Sequence, residues 1–423
     1  MSIGYACQTI GIPNTSSKNC TLKNANEEKL YQIISYNLDS LDHILNYNIN
    51  NGIKLFRISS DLIPFASSPA NTLEWWNLFQ AKFIDLGDKI MKHNIRVSMH
   101  PGQYTVLNSP NTDVVYRAIK DLEYHNRVLD SLKVGKNHKL VLHIGGIYND
   151  KEQAMLRFIT NFKTLDQRIK DRLVLENDDK LYNIKDVMEI ASQTNSPVIF
   201  DNLHHKINPC NDLRDEFSWI QECKSTWKQE DGNQKMHYSE QNPLKRLGSH
   251  SNTINAEVFF NYYNNINRED IDIMLEVKDK NLSAVKCINA VSKEKSIKNL
   301  ELEWSKYKYL VLEKSHEDYN SIRKLLKEKD NYPVIPFYNY IDHALERESA
   351  AGGSVNAAQH VWGYFKECAT EKEKKLFESK LSSYTEGKIS LLPVKKLLWQ
   401  LTNQYQQNYL LDSYYFADVI ETI

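Results

Sequence analysis

The chain has 423 residues, of which 41% are hydrophobic and 25% charged, and its formal net charge is −1. This length favours a large domain followed by a smaller one, and the composition excludes a disordered protein. Near-neutrality argues against a protein that coats nucleic acid without specificity, so any contact with nucleic acid has to come from a local patch.

Cysteine usage and the first residues indicate the compartment. The six cysteines are scattered without a CxxC pair, and we interpret them as free thiols in a reducing environment. The start, MSIGYACQTI, lacks the basic segment and long apolar run of a secretion signal, and no stretch approaches a membrane span. We therefore expect a cytoplasmic protein with no membrane association.

Eight short apolar runs predict β-strands. In chain order they cover residues 3–6, 53–59, 95–100, 139–146, 172–178, 197–205, 234–241 and 271–278. Segments between them, such as 112–132, carry apolar residues three and four apart and predict helices. This alternation predicts an α/β fold, a parallel sheet closed into a (β/α)8 TIM barrel. An open doubly wound sheet is the alternative, but the chain lacks its G-x-G-x-x-G loop, and we expect no nucleotide cofactor.

From about residue 296 the pattern becomes helical up to the end of the sequence. Segment 388–411 carries apolar residues at helical spacing, with Pro393 near a helix start, and SAAGGS at 349–354 is predicted to be a loop. We therefore predict a barrel domain at 1–295 and a small all-α domain at 296–423.

Ionisable residues stand at the predicted strand ends, where TIM barrels place their chemistry. They are Tyr5, His100, His143, Glu176, Asp201, His204, Lys235, His237 and Glu276, with His250 in the loop after the seventh strand. Each alone is more often a hydrogen-bonded structural residue, a cap or an ion-pair partner. Together, five histidines and three carboxylates at one mouth are costly to bury unless they are paired or bound to metal. Their donor atoms favour Zn²⁺, Mn²⁺ or Fe²⁺ and suffice for about two or three ions.

Lys235 is the unexpected member of this set. It shares a strand face with His237 and should also point into the mouth. An ammonium group repels a metal ion. Three interpretations stay open: a contact with phosphate, carboxylation by CO₂ to an anionic ligand, or a lysine that simply extends to solvent.

The motifs around these residues resemble the UV damage endonucleases, relatives of endonuclease IV on the same barrel. The matching segments are LFRISSDLIPFASSP (55–69), SMHPGQY (98–104), LHIGG (142–146), LENDD (175–179), FDNLHH (200–205), KMHYSEQ (235–241) and LEVKDK (275–280). The resemblance covers roughly residues 1 to 280 and implies a DNA repair endonuclease. The implied incision lies immediately 5′ to pyrimidine dimers or 6-4 photoproducts in double-stranded DNA, with abasic sites as further substrates.

The resemblance also implies a three-metal hydrolytic site, usually ascribed to manganese, with zinc as the alternative. The implied ligands are His100, His143 and the bridging Glu176 for the first ion; Glu176, Asp201, His237 and Glu276 for the second; and His204, His250 and a carboxylated Lys235 for the third. It further implies catalytic roles for Glu176, Lys235 and Tyr5.

Residues that would contact the lesion are implied as well. Gln103 and Tyr104 resemble a probing pair that inserts into the duplex, where an amide and an aromatic ring can fill the gap left by displaced bases. An ordinary turn with an exposed tyrosine is the alternative. Tyr5 matches a family tyrosine near the damaged nucleotides. Thr9 stands where the family often has asparagine, and the asparagine's role is not transferred to it.

The helical region resembles YbgA-like proteins through segments 307–322, 356–366 and 384–410. His360, Trp362 and Tyr364 are candidates for a binding face, but aromatic core packing is the favoured interpretation. For the barrel, the competing functions are an abasic-site endonuclease of the endonuclease IV type, a xylose-isomerase-like sugar isomerase and a non-catalytic damage-binding module.

Overall fold

The computed structural model describes residues 1–422, which form two compact units. The first comprises Met1–Thr9, Asn14–Ile254 and Tyr262–Val285. The second comprises Ile10–Pro13, Asn255–Asn261 and the chain from Lys286 onward. Within the described residues, no helix combines the length and apolar character needed to cross a membrane. All six cysteines are free thiols, as predicted.

The first unit is built on a closed barrel of eight parallel strands in sequential order, which confirms the predicted TIM barrel. The strands are β1 Ile3–Ala6, β2 Leu55–Ile58, β3 Arg96–Met99, β4 Leu140–His143, β5 Leu173–Glu176, β6 Val198–Asp201, β7 Gln234–Tyr238 and β8 Ile271–Leu275. Their residues are almost all buried because helices cover the outside of a parallel barrel and side chains fill its interior.

Helices connect and follow these strands. They are α1 Glu27–Asn50, α2 Trp75–Leu78, α3 Gln80–Lys92, α4 Thr112–Ser131, α5 Lys151–Thr164, α6 Gln167–Arg172, α7 Ile184–Thr194, α8 Asn202–Ile207, α9 Glu216–Lys224, α10 Ala256–Ile266 and α11 Asn281–Val291. Several begin at side-chain caps: Asn26, Asn111 and Asp150 each accept a hydrogen bond from the first turn of their helix. These caps fix where each loop ends and hence the positions of the loops that carry the site.

The second unit is helical, as predicted. Its remaining helices are α12 Ile297–Lys314, α13 His316–Leu325, α14 Val334–Glu346, α15 Ala351–Trp362, α16 Glu371–Thr385, α17 Leu392–Gln404, α18 Asn408–Leu411 and α19 Ala417–Ile420. Pro393 lies in the first turn of α17, which confirms the predicted helix start. The predicted loop at 349–354 is wrong: the helix already begins at Ala351, so both glycines of that segment are helical.

The aromatic residues of this helical unit pack together. Trp362 is buried and stacks on Phe377 with 4.4 Å between ring centroids. The Tyr364 and Tyr309 hydroxyls lie 2.8 Å apart and share a hydrogen bond. These contacts confirm core packing for Trp362, whereas His360 lies on the exposed side of α15.

Candidate metal centre

The register of the barrel brings four of the predicted site residues side by side. His143 at the end of β4 pairs with Glu176 at the end of β5, and Asp201 at the end of β6 pairs with His237 on β7. Parallel strands whose last residues are in register present those residues at one mouth. The geometry of the centre therefore follows from where each apolar run stops.

Glu176 is the hub of this mouth and is almost completely buried. Its Oε1 lies 2.6 Å from His237 Nδ1, and its Oε2 lies 3.0 Å from His100 Nε2 and 3.5 Å from His143 Nε2. His204 Nδ1 lies 3.9 Å from Oε1. One carboxylate thus faces imidazoles from four different segments of the chain.

The charges of this mouth are strongly coupled. Burial alone would raise the pKa of Glu176, but the imidazoles of His237 and His143 outweigh it and hold that pKa well below its ordinary value. Burial opposes protonation of His204, yet the carboxylates of Asp201 and Glu176 raise its pKa to about 9. For His100 burial prevails and lowers the pKa to about 4. Glu176 is therefore held as an anion, the form that binds cations.

Three groups of side chains are placed so that each can hold an ion, with ligand atoms within 4.8 Å of one another. They are His100, His143 and Glu176; Glu176, Asp201 and His204; and Glu176, His237 and Glu276. Glu176 belongs to all three. His250 lies outside these groups, although its Nε2 is 3.7 Å from Glu276 Oε2. Asp201, which the resemblance assigns to the ion of His237 and Glu276, is grouped here with His204.

The local structure around His204 differs from the predicted strand and turn. The chain enters helix α8 directly after β6, and Asp201 caps this helix by accepting a hydrogen bond of 2.8 Å from the His204 backbone amide. His204 thus lies in the first helical turn, and its Nδ1 is bonded to the Asn177 carbonyl at 2.8 Å. The cap holds the two side chains together.

Buried atoms without partners show that this donor set fits metal ions. Within residues 1–422, Asp201 Oδ2, His143 Nδ1 and His237 Nε2 are buried and have no hydrogen-bond partner. Buried polar atoms in native proteins are nearly always satisfied, and the exceptions need a cause such as a bound ion. Imidazole nitrogens and carboxylate oxygens suit Mn²⁺ and Zn²⁺. The residues present therefore fit divalent ions.

Lys235 lies beneath this mouth, fully buried in β7, and its Nζ has no hydrogen-bond partner among the described residues. Burial, reinforced by the nearby Arg96, lowers its pKa well below the ordinary value. The interpretation of a lysine that extends to solvent is wrong, because the side chain has no exposed surface. Burial therefore favours the neutral form of the amine.

Arg57, a residue that the sequence analysis did not single out, also belongs to the centre. Its guanidinium, on β2, forms an ion pair with Glu276, and both side chains are largely buried. Glu276 Oε1 in turn lies 3.4 Å from His237 Nδ1. The signal was present in LFRIS, where an arginine interrupts an apolar strand close to its carboxyl end. Arg57 holds Glu276 in place.

The loop after β3 carries the predicted probing pair. Gln103 and Tyr104 are both exposed, and 72% of Tyr104 is accessible to solvent. Gln103 borders a cavity of about 410 Å³ together with His100, His143 and His250. Tyr104 instead borders a neighbouring groove of about 1000 Å³. The pair therefore stands at the rim of the centre.

Tyr5 has a different environment from the one that the resemblance implies. It is completely buried, and its hydroxyl lies 2.7 Å from Thr9 Oγ1 and donates to Asn48 Oδ1 at 2.8 Å. Thr9, at the position of the family's asparagine, thus holds Tyr5 in the core. A direct contact between Tyr5 and DNA would require the chain to open, so this role stays a prediction.

The fold and the ligand groups define a class of protein: TIM-barrel enzymes with histidine- and carboxylate-rich groups able to hold metal ions at the carboxyl ends of the strands. Comparison with known proteins narrows this class. A family model described as UV-endonuclease UvdE matches residues 1–307. A second, described as a protein of unknown function (DUF1722), matches residues 308–418.

Individual proteins agree with the family models. A UV DNA damage endonuclease of Clostridium perfringens is 40% identical over 404 residues, 94% of this chain and 96% of that protein. One of Bacillus cereus is 33% identical over 287 residues, 67% of this chain and 90% of that protein. The crystal structure of SacUVDE is 40% identical, covers 69% of this chain and 98% of that one, and superposes with a TM-score of 0.65. The chain belongs to the UV-endonuclease UvdE family.

Proposed function

We propose that this protein is a metal-dependent DNA repair endonuclease that cuts double-stranded DNA immediately 5′ to UV photoproducts. The observation that carries the proposal is the mouth in which three ligand groups share the buried anion of Glu176. Membership of the UvdE family and the names of the similar proteins supply the substrate class.

The proposed cofactors are divalent ions, about two or three per chain, for which the donor set suits manganese or zinc. Manganese is proposed first because the family resemblance implies it. Bound at Glu176 and its neighbours, such ions would supply Lewis-acid activation of water and neutralise charge that develops on the scissile phosphate. The chain's own part is to keep Glu176 ionised between the imidazoles. It also holds Glu276 against Arg57 and anchors His204 through the Asp201 cap.

For Lys235 we propose carboxylation to an anionic ligand. The neutral amine can attack CO₂, forming an N–C bond and losing one proton, and the product is a carbamate whose negative charge suits a position among cations. A direct contact with phosphate is disfavoured because the side chain has no exposed surface.

Mass spectrometry of the native protein should find about 44 Da added at Lys235, a difference that follows from CO₂ itself. Lys235→Ala should bind fewer ions, with acetate as a partial rescue. Unmodified lysine in a fully metal-loaded protein would rule the carboxylation out.

Lesion recognition is assigned to the loop after β3. Damaged base steps are weakly stacked and cost less to distort, so an exposed amide and phenol at the rim can take the place of displaced bases. Gln103 and Tyr104 have the exposure that such insertion needs, whereas the enclosed Tyr5 supports the wall of the barrel in this structure.

The experiment that tests the function is an incision assay with purified protein and manganese. Three duplexes of one sequence are compared: irradiated, intact and abasic. We expect cutting 5′ to the photoproducts, no cutting of intact DNA and weaker cutting of abasic DNA. Cutting of the abasic duplex alone would show that the protein is an abasic-site endonuclease and would overturn the proposal. No cutting by metal-loaded protein would refute it.

We further propose that residues 1–295 are the catalytic domain, that 296–423 form an accessory helical domain, and that the protein acts in the cytoplasm. All the candidate ligands lie in the first compact unit, and the free cysteines suit a reducing compartment. Activity of a soluble 1–295 fragment on irradiated DNA would support the division. A folded, metal-loaded fragment without activity would contradict it.

A further inference from the structure

A loop tip beside the candidate centre carries two leucines that stand in solvent. Residues 242–249 follow β7 and form a hairpin closed by an antiparallel bridge between Gln241 and His250. At its tip, Leu244 is 93% exposed and Leu247 is 69% exposed. Leucines this exposed and this close together are unusual on a surface unless something covers them.

Hydrogen bonds across its base close the tip and fix the backbone that carries the leucines. The Asn242 amide donates to the Ser249 carbonyl at 2.7 Å. Gln241 crosses the base of the tip: its Nε2 donates to the Arg246 carbonyl at 3.1 Å, and its Oε1 accepts from the Gly248 amide at 2.8 Å. A preorganised apolar tip loses little conformational entropy when it binds a partner.

The position of the tip points to what covers it. Arg246 borders the same cavity of about 410 Å³ as His100 and Gln103. The hairpin and the probing loop thus border one cavity. Lys245 and Arg246 are exposed, and neither forms an ion pair within residues 1–422. Two unpaired cations lie between exposed leucines at the edge of the candidate metal centre. This arrangement is complementary to duplex DNA, which has an anionic backbone and apolar base surfaces.

We propose that the hairpin tip is a second DNA-contacting element, in which Leu244 and Leu247 form an apolar wedge against the base steps of the duplex while Lys245 and Arg246 contact its phosphates. The proposal rests on the proposed function and extends it to a surface outside the ligand groups. Apolar side chains inserted at a base step unstack it and stabilise a bent duplex. A lesion lowers the cost of that distortion, so the wedge would add to the selectivity of Gln103 and Tyr104.

The test compares the full-length wild-type protein with the double variant Leu244→Ala/Leu247→Ala. Both are titrated, with the metals chelated, against a duplex that carries one pyrimidine dimer and 2-aminopurine at a flanking step. We expect binding to weaken about tenfold or more, because two leucines lose their buried contacts, and the fluorescence rise that reports unstacking to fall. Leu244→Met/Leu247→Met, which keeps the apolar bulk, should retain both signals.

Leu156→Ala is the matched control, because Leu156 is 50% exposed on α5 and should leave binding unchanged. If the alanine variant matches the wild type in affinity and fluorescence, the leucines do not serve DNA and the proposal is overturned. The incision assay separates this outcome from failure of the function. Wild-type protein that binds the duplex but never cuts it would refute the proposed endonuclease function. The ratio of the wild-type and double-alanine affinities would still test whether the leucines contact DNA.

Discussion

The two ends of the barrel both bury charge, but they do so in opposite ways. At the amino end, two buried cations have carboxylate partners in the chain: Arg96 Nη1 lies 2.9 Å from Asp272 Oδ2, and Lys139 forms an ion pair with Asp231. At the carboxyl end, buried atoms of Asp201, His143 and His237 have none within the described residues. The two cations at the first end are paired within the protein, whereas these three side chains at the second end have atoms available to bind a ligand.

This difference teaches how to separate structural from functional charge. Burying an unpaired polar or charged group costs free energy. Buried groups that are paired within the chain therefore indicate a structural role, whereas buried groups without a partner indicate that a ligand from outside the chain binds them. Counting ionisable residues would not distinguish the two ends. The partners of individual charged and ionisable side chains distinguish them, as Lys139 with its ion pair and His237 with its unbonded Nε2 show.

Glu176→Gln should produce the largest effect. A neutral amide cannot hold two cations, so we expect incision of irradiated DNA to fall at least about a thousandfold. The fold should survive, because the substitution is isosteric. Incision rates and bound metal are measured together with thermal unfolding. Full activity in the folded variant would remove Glu176 from the centre.

Asp231→Asn probes the opposite end. It leaves the buried Lys139 without its carboxylate, and breaking such a pair costs about 3–5 kcal/mol. Denaturant unfolding should show this loss, while the metal content of the folded protein stays at the wild-type value. A variant that is stable but loses its metals would show that the two ends are not separate.

Replacing Gln103 and Tyr104 together by alanine should have a smaller effect, confined to recognition. Base stacking on side chains contributes about 1–3 kcal/mol per base in single strands, so the preference for damaged over intact duplex should fall by that order. Bound metal should not change, since neither residue is a ligand. Competition binding measures the preference, and an unchanged value would sink the assignment of the probing pair.

The pH dependence of stability tests the amino end again. Burial, aided by Arg96 and Arg172, lowers the pKa of His138 from 6.5 to about 3, and its Nδ1 accepts the Val97 amide at 3.0 Å. The unfolded chain therefore takes up the proton first as the pH falls. The contribution of His138 to the free energy of unfolding is therefore complete above about pH 6.5. It decreases below that pH, by about 2 kcal/mol at pH 5.

His138→Gln should flatten this dependence, since an amide oxygen can accept the same hydrogen bond but does not titrate in this range. The measurement is denaturant unfolding of chelator-treated protein at pH 7 and pH 5, so that loss of metal does not contribute. Equal slopes for the variant and the wild type would show that other groups govern the acid sensitivity.

Sequence patterns predicted much of this molecule because the barrel is locally encoded. Each strand lies within a short apolar run, and His100 and Glu176 stand where β3 and β5 end, at the mouth. Family motifs then supplied the expected ligand groups. The first turn of the helix at 351–362 was missed because its glycines favour a loop locally, whereas close packing against the Glu313 carbonyl admits only a residue without a side chain at Gly353.

Contacts between distant segments were beyond the sequence analysis. The Arg57 and Glu276 pair joins residues 219 positions apart, and the hydroxyl of Tyr5 is fixed by Asn48, 43 positions away. Neither partner is implied by spacing. The capping of α8 by Asp201 was likewise missed, because the sequence analysis extended the sixth strand to residue 205, whereas the structure ends it at Asp201.

The central claim is that the open carboxyl end of the barrel binds metal, and elemental analysis of the full-length protein tests it most directly. Wild-type and Glu176→Gln proteins are loaded with manganese, dialysed and counted for metal per chain, with Asp231→Asn as the control. The account predicts about two or three ions in the wild type and in Asp231→Asn, and fewer than one in Glu176→Gln. Wild-type protein that retains no divalent ion, or a Glu176→Gln variant that retains them all, would contradict it.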